Sequence, residues 1–120
     1  MEENKVSSYK DLVVWGKSKE LVVEIYKLTK NFPESELYGL TSQMRRAAIS
    51  IPSNIAEGSR RSSRKDYKNF LYNAFGSASE LETQIEITKS LEFGKNLNFQ
   101  IIDDLLNEVL KMLNVMLSKL

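Results

Sequence analysis

The segment from Ser42 to Arg61, SQMRRAAISIPSNIAEGSRR, constrains the fold more than any other part of this chain. Its ten uncharged residues, Ala47 to Ala56, lie between two arginine pairs, Arg45 with Arg46 and Arg60 with Arg61. Apolar residues recur at helical spacing through Leu37, Leu40, Met44, Ala48, Ile51 and Ile55, which defines a helix with one core-facing stripe. The opposite side, Ser42, Ile49, Ser53 and Ala56, is small or neutral where a solvated helix would carry charge. A helix without a wet side needs a second neighbour, so the pattern predicts self-association as well as a bundle core.

Pro52 lies inside this pattern, where it removes the amide that would bond the Ala48 carbonyl, at a typical cost of about 3 kcal/mol. Because the periodicity resumes in phase at Ile55, the expectation is one helix over 36–58, capped by Ser35 and kinked between Ala48 and Pro52, in preference to two helices with a loop. The remaining elements follow from the same signals. A first helix over 9–31, with Ser7 or Ser8 as its cap, carries Leu12, Trp15, Val22, Tyr26 and Thr29 on one face with Leu21, Ile25 and Leu28 beside them. Phe32-Pro33 ends it. A third helix over 64–91, capped by Ser62 or Ser63, carries Tyr67, Phe70, Leu71, Ala74, Ala78, Leu81, Ile85 and Thr88. Gly94 reads as its closing glycine. A fourth helix over 97–119, opened by Asn96 or Asn98, is apolar through Ile102, Leu105, Leu106, Val109, Leu113, Met116, Leu117 and Leu120.

The third helix shares the dryness of the second. Its eleven residues from Asn69 to Ser79 carry no charge, and Tyr72, Gly76, Ser79 and Thr83 occupy the face opposite the stripe. These residues join Ser42, Ile49, Ser53 and Ala56 as the expected contact surface between subunits. With 120 residues, two prolines and no strand signal, the chain reads as one all-α domain, an antiparallel up-down-up-down four-helix bundle.

Composition removes many chemistries. Cysteine and histidine are both absent, which excludes disulfides, thiolate nucleophiles, the usual zinc sites and histidine-based triads. Ser50, Ser53 and Ser59 have no base to activate them, and Gly58 to Arg61 lacks the strand and lysine of a phosphate-binding loop. An all-carboxylate metal site would have to draw on Glu57, Glu80 and Glu82; pairing of these acids with arginines is the simpler reading. The expectation is therefore a non-enzymatic protein with no cofactor and no metal. No apolar run reaches the length of a membrane span, and Met1 to Ser8 is acidic and polar, so the expected location is the cytoplasm with no membrane partner.

Charge is uneven. Residues 41–79 hold seven basic and two acidic side chains, although the whole chain has a net charge of only +1. The seven are Arg45, Arg46, Arg60, Arg61, Arg64, Lys65 and Lys68, and arginine's planar fork suits bidentate contact with phosphate. They are the candidate RNA- or DNA-binding residues, with salt-dependent and largely sequence-independent affinity. The plain reading is a solvated helix-turn-helix junction whose arginines pair with Glu34, Glu36, Glu80 or Glu82; the alternative function is a protein-interaction scaffold whose arginines close ion pairs between subunits, without nucleic-acid binding. Trp15 and Tyr26 read as core aromatics ahead of base-stacking platforms, and Asn54 as a polar residue hydrogen-bonding across helices.

Three stretches, VVWGKSKELVVEIYKLTKNFP (Val13 to Pro33), ELYGLTSQMRRAAISIPSNIAEGSRR (Glu36 to Arg61) and NFLYNAFGSASELETQI (Asn69 to Ile85), resemble the bacterial proteins encoded within intervening sequences of 23S ribosomal RNA genes. The resemblance implies a four-helix bundle assembled as a ring-shaped homopentamer. Through the related accessory variability proteins of diversity-generating retroelements, it also implies nucleic acid and a reverse transcriptase as partners.

Overall fold

The computed structural model describes residues 8–120. Four helices form it, α1 (Val13–Thr29), α2 (Ser42–Ser59), α3 (Arg64–Ser90) and α4 (Gln100–Ser118), and no strand occurs among the described residues. α1 packs on α2 and α4, and α3 packs on α2 and α4, so each helix has two neighbours around one core. Val14, Leu21, Ile25, Met44, Ile51, Ile55, Leu71, Leu81, Ile85, Val109 and Leu113 fill that core and are almost fully buried. No helix among the described residues is long and apolar enough to cross a membrane.

Local chemistry sets the helix ends. Before α1 the chain makes a 3-10 turn, Tyr9–Asp11, whose first amides are met by the Ser8 hydroxyl accepting from Lys10 N–H at 3.2 Å. Ser7, the other expected cap, lies outside the described residues. Of the two serines before α3, Ser63 is the cap, accepting from Asp66 N–H at 3.0 Å. Asp66 then sits in the positive first turn, where a carboxylate is favoured. Asn98 accepts from Gln100 N–H at 3.0 Å at the start of α4.

Three expectations need correction. α2 begins at Ser42, not near Glu36, because the preceding turn Leu37–Thr41 contains non-helical backbone at Gly39 (φ −114°, ψ −111°). Glycine is a poor helix former, and here it ends the stripe: Leu37 is exposed, Tyr38 is 93% exposed, and Glu36 rather than Ser35 accepts from an amide, that of Leu40. α2 runs as one helix through Pro52, without a loop between the segments on either side of the proline. Second, the buried line of α1 is Val14, Leu21, Ile25 and Leu28; Trp15 and Val22 are half-buried on its flank and Tyr26 is exposed. Third, Gly94 does not adopt the left-handed conformation of a helix-closing glycine. It closes the 3-10 turn Glu92–Gly94, where an alanine Cβ would fall onto the backbone carbonyl of Thr88.

α2 and α3 run antiparallel in close contact. Gly58 faces Tyr67 and Phe70, Ser50 faces Ser77, and Met44 faces Thr88. A Cβ on Gly58 would lie 2.8 Å from the Phe70 Cβ, so the glycine is what lets the two backbones meet at this end. Burial beside Gly58 raises the Tyr67 pKa. Midway, the Ser77 hydroxyl donates to Ser50 Oγ at 2.8 Å, and Asn54 Nδ2 donates to the same oxygen at 2.9 Å and to the Ser50 carbonyl at 2.8 Å. Asn54 thus bonds within α2 and not across helices as expected; the bond between the helices is that of Ser77 to Ser50. At the other end Phe32 and Phe93 meet edge to face with centroids 5.0 Å apart. Lys89 donates to Asp103 at 2.8 Å and to Glu86 at 3.2 Å, and the Asp103 bond foremost raises the lysine's pKa.

Candidate nucleic-acid interface

The seven cations do not form one patch. Because α2 ends at Ser59 and α3 starts at Arg64, the turn between them gathers Arg60, Arg61, Arg64, Lys65 and Lys68 at one end of the bundle. Arg45 and Arg46 sit about 22 Å away along α2, fifteen residues at helical rise. Arg60, Arg61, Arg64 and Lys65 are exposed and Lys68 is half-buried.

Each of three cations in this cluster rests on an aromatic ring. The Arg60 guanidinium lies 5.2 Å from the Tyr9 centroid, Arg61 lies 4.8 Å from Phe70, and Lys68 lies 6.0 Å from Tyr72. Stacking of this kind restrains a long side chain while leaving its donors outward, which lowers the entropy lost on gripping an anion. Arg61 also pairs with Glu57 at 2.7 Å. That is the only arginine ion pair among the described residues, so Glu34, Glu36, Glu80 and Glu82 do not neutralise the cluster. Both partners are about half exposed, which keeps the pair weak and open to exchange with phosphate.

Arg45 has a different role. Its Nε donates to Thr29 Oγ1 at 2.8 Å and its guanidinium lies 4.4 Å from the Tyr26 ring, so it ties the start of α2 to the end of α1. Thr29 can accept this bond because its own hydroxyl proton goes to the Ile25 carbonyl at 2.8 Å. Replacing Arg45 by methionine is expected to lower stability by about 1 kcal/mol in urea unfolding, since it removes one half-buried hydrogen bond and a ring contact. Affinity for nucleic acid should be unchanged. Arg46 is exposed beside it.

The acids considered for a metal do not converge. Glu57 pairs with Arg61, Glu80 accepts from Gln84 at 3.4 Å, and no group of three or more acidic side chains among the described residues could hold an ion.

The expected subunit-contact residues separate into two faces. Ile49, Ser53 and Ala56 open into a groove between α1 and α2, together with Tyr9, Trp15, Lys19, Val22 and Pro52. Tyr72, Gly76, Ser79 and Thr83 lie on the outer face of α3, with Tyr72 54% exposed and Gly76 and Thr83 open to solvent. Ser42 is half-buried at the start of α2. Tyr9 and Phe70 as arginine supports were not foreseeable from local pattern: Tyr9 is remote in sequence from the turn it serves, and Phe70 sits within an ordinary apolar stripe.

Comparison with known proteins gives two findings. The sequence profile described as 23S rRNA-intervening sequence protein matches residues 10–115. The chain is also similar to a solved crystal structure from Bacteroides thetaiotaomicron VPI-5482, a protein of unknown function from the S23 ribosomal protein family, with TM-score 0.75, 29% identity, and coverage of 88% of this chain and 98% of that one. No curated protein matches.

Proposed function

The chain belongs to the family of 23S rRNA-intervening sequence proteins, and from that membership we propose a non-enzymatic, cytoplasmic helical bundle that associates with copies of itself and binds RNA or DNA. The cations at the α2–α3 turn are the binding residues. Arg60, Arg61, Arg64 and Lys65 contact phosphates, with Lys68 at the margin. The observation that carries this reading is that exposed arginines at one end of the molecule are held in position by rings and stay largely free of carboxylates. Binding of RNA and DNA measured against salt is the test: affinity should fall linearly with log salt, and absence of affinity at low salt removes the reading.

Self-association is supported by Gly76. A Cβ there would meet nothing within 4 Å, so a single chain gains nothing from glycine at this position, and glycine inside a helix is about 1 kcal/mol less favourable than alanine. Close approach of another backbone explains it, with Tyr72, Ser79 and Thr83 beside it. A ring also needs a second, different face, and the outer side of α1 and α4 offers Val13, Val23, Ile101 and Val115, each about half exposed or more. We read the assembly as a homopentamer, the state that the resemblance of the three stretches implies. Gly76→Leu is expected to lower the mass seen by light scattering while leaving helix content unchanged; an unchanged mass would move the contact off α3.

A further inference from the structure

The outer groove between α1 and α2 is lined by rings and aliphatic side chains as well as by cations. Two adjoining hollows form it: one of about 470 Å³ walled by Tyr9, Glu57, Arg60 and Arg61, and one of about 350 Å³ walled by Trp15, Val22, Ile49 and Pro52. They share Tyr9, Ser53 and Ala56, so one trough leads from the cationic turn to an aromatic and aliphatic floor.

Its chemistry alternates between rings and cations. Tyr9 and Trp15 meet edge to face at 5.1 Å, Arg60 lies 5.2 Å from the Tyr9 centroid, and the Lys19 ammonium lies 5.6 Å from the Trp15 centroid. A duplex offers phosphates outward and keeps its bases stacked on one another, so it needs cations and would leave this floor unused. A single strand offers both at once: phosphates for arginine and lysine, and unstacked bases whose faces pack on aromatic and aliphatic side chains.

We propose that the trough binds single-stranded nucleic acid, with phosphates on Arg60 and Lys19 and a base packed against the Tyr9–Trp15 pair. The inference rests on the reading of the α2–α3 turn as a phosphate-binding surface and names the form of nucleic acid it selects. It also takes Ile49, Ser53 and Ala56 as ligand contacts instead of contacts between copies.

Trp15 is the only tryptophan in the chain, so its emission reports on the trough directly. The full chain is titrated with an oligothymidine of about 16 nucleotides and with a duplex of equal length. The single strand should bind about tenfold more tightly and quench Trp15 saturably. Tyr9→Leu should bring the single strand down toward the duplex level, while the duplex, which keeps Arg61, Arg64 and Lys65 and loses only the support of Arg60, weakens much less. Should that variant lose helix content, Lys19→Gln, at an exposed position outside the turn, carries the comparison, weakening the single strand about threefold or more and leaving the duplex unchanged. Equal affinities with Trp15 emission unmoved would overturn the trough and leave phosphate binding at the turn intact. Salt-sensitive binding of neither probe would remove both readings. Emission that changes with protein concentration, not with oligonucleotide, would make the trough a contact between copies and overturn the proposal.

Discussion

Gly94→Ala is expected to destabilise the protein by about 3 kcal/mol, lowering the thermal midpoint by roughly 10 °C or more. The added methyl would fall on the Thr88 carbonyl, and it would crowd the Thr88 side chain as well. Neither can retreat. The Thr88 carbonyl accepts from Leu91 N–H at 3.1 Å, and the Thr88 hydroxyl is fully buried, donating to the Gln84 carbonyl at 2.8 Å beside Met44. The turn from α3 into α4 would have to rebuild, and with it the Phe32–Phe93 contact. Gly16, inside α1, is the control. A methyl there meets nothing within 4 Å of the same chain, so Gly16→Ala should leave the stability of the single chain equal or raise it by about 1 kcal/mol, whatever it does to a contact between copies on the α1–α4 side. Urea unfolding followed by circular dichroism separates the two, and equal stability of both variants would show that the turn yields freely.

The second large effect concerns binding. Converting Arg60, Arg61 and Arg64 together to glutamine should reduce affinity for RNA or DNA by about 2–3 kcal/mol, roughly 100-fold, at low salt. The slope of log affinity against log salt should fall by about 2–3, one phosphate contact per arginine. All three side chains are exposed, so the fold should be unaffected. A change of opposite sign provides the sharper check. Glu57 pairs with Arg61 and would compete with a phosphate bound there, so Glu57→Gln should raise affinity a few-fold. If the triple variant binds as the parent does, or if Glu57→Gln weakens binding, the turn is not the phosphate surface.

Much of this architecture was legible from spacing alone. The stripes through Met44, Ala48, Ile51 and Ile55 and through Leu71, Ala74, Ala78, Leu81 and Ile85 identify the faces that meet in the core, because burial imposes the helical period directly. What spacing could not reveal depends on distances between segments. The period of Leu37 and Leu40 suggests helix continuing through Gly39, since nothing local shows that the chain turns there. Gly94 carries a familiar closing signal, yet its reason for being glycine is a carbonyl in the preceding helix. Counting cations along the chain merges Arg45 with Arg60, whereas helical rise separates them and Thr29 draws Arg45 inward. Tyr9 enters the site only because α1 and α2 lie side by side.

The shared hydroxyl at Ser50 has a mechanical implication. Apolar ridges on two packed helices can slide past one another by a whole turn with little change in greasy contact, because leucine against leucine looks alike at either setting. The bond from Ser77 to Ser50 is directional, and shearing the hairpin would break it and strand the Ser77 hydroxyl, while Asn54 stays with Ser50 on its own rod. The pair thereby gains a bias toward one longitudinal position, about 1 kcal/mol, that greasy contact alone would not give.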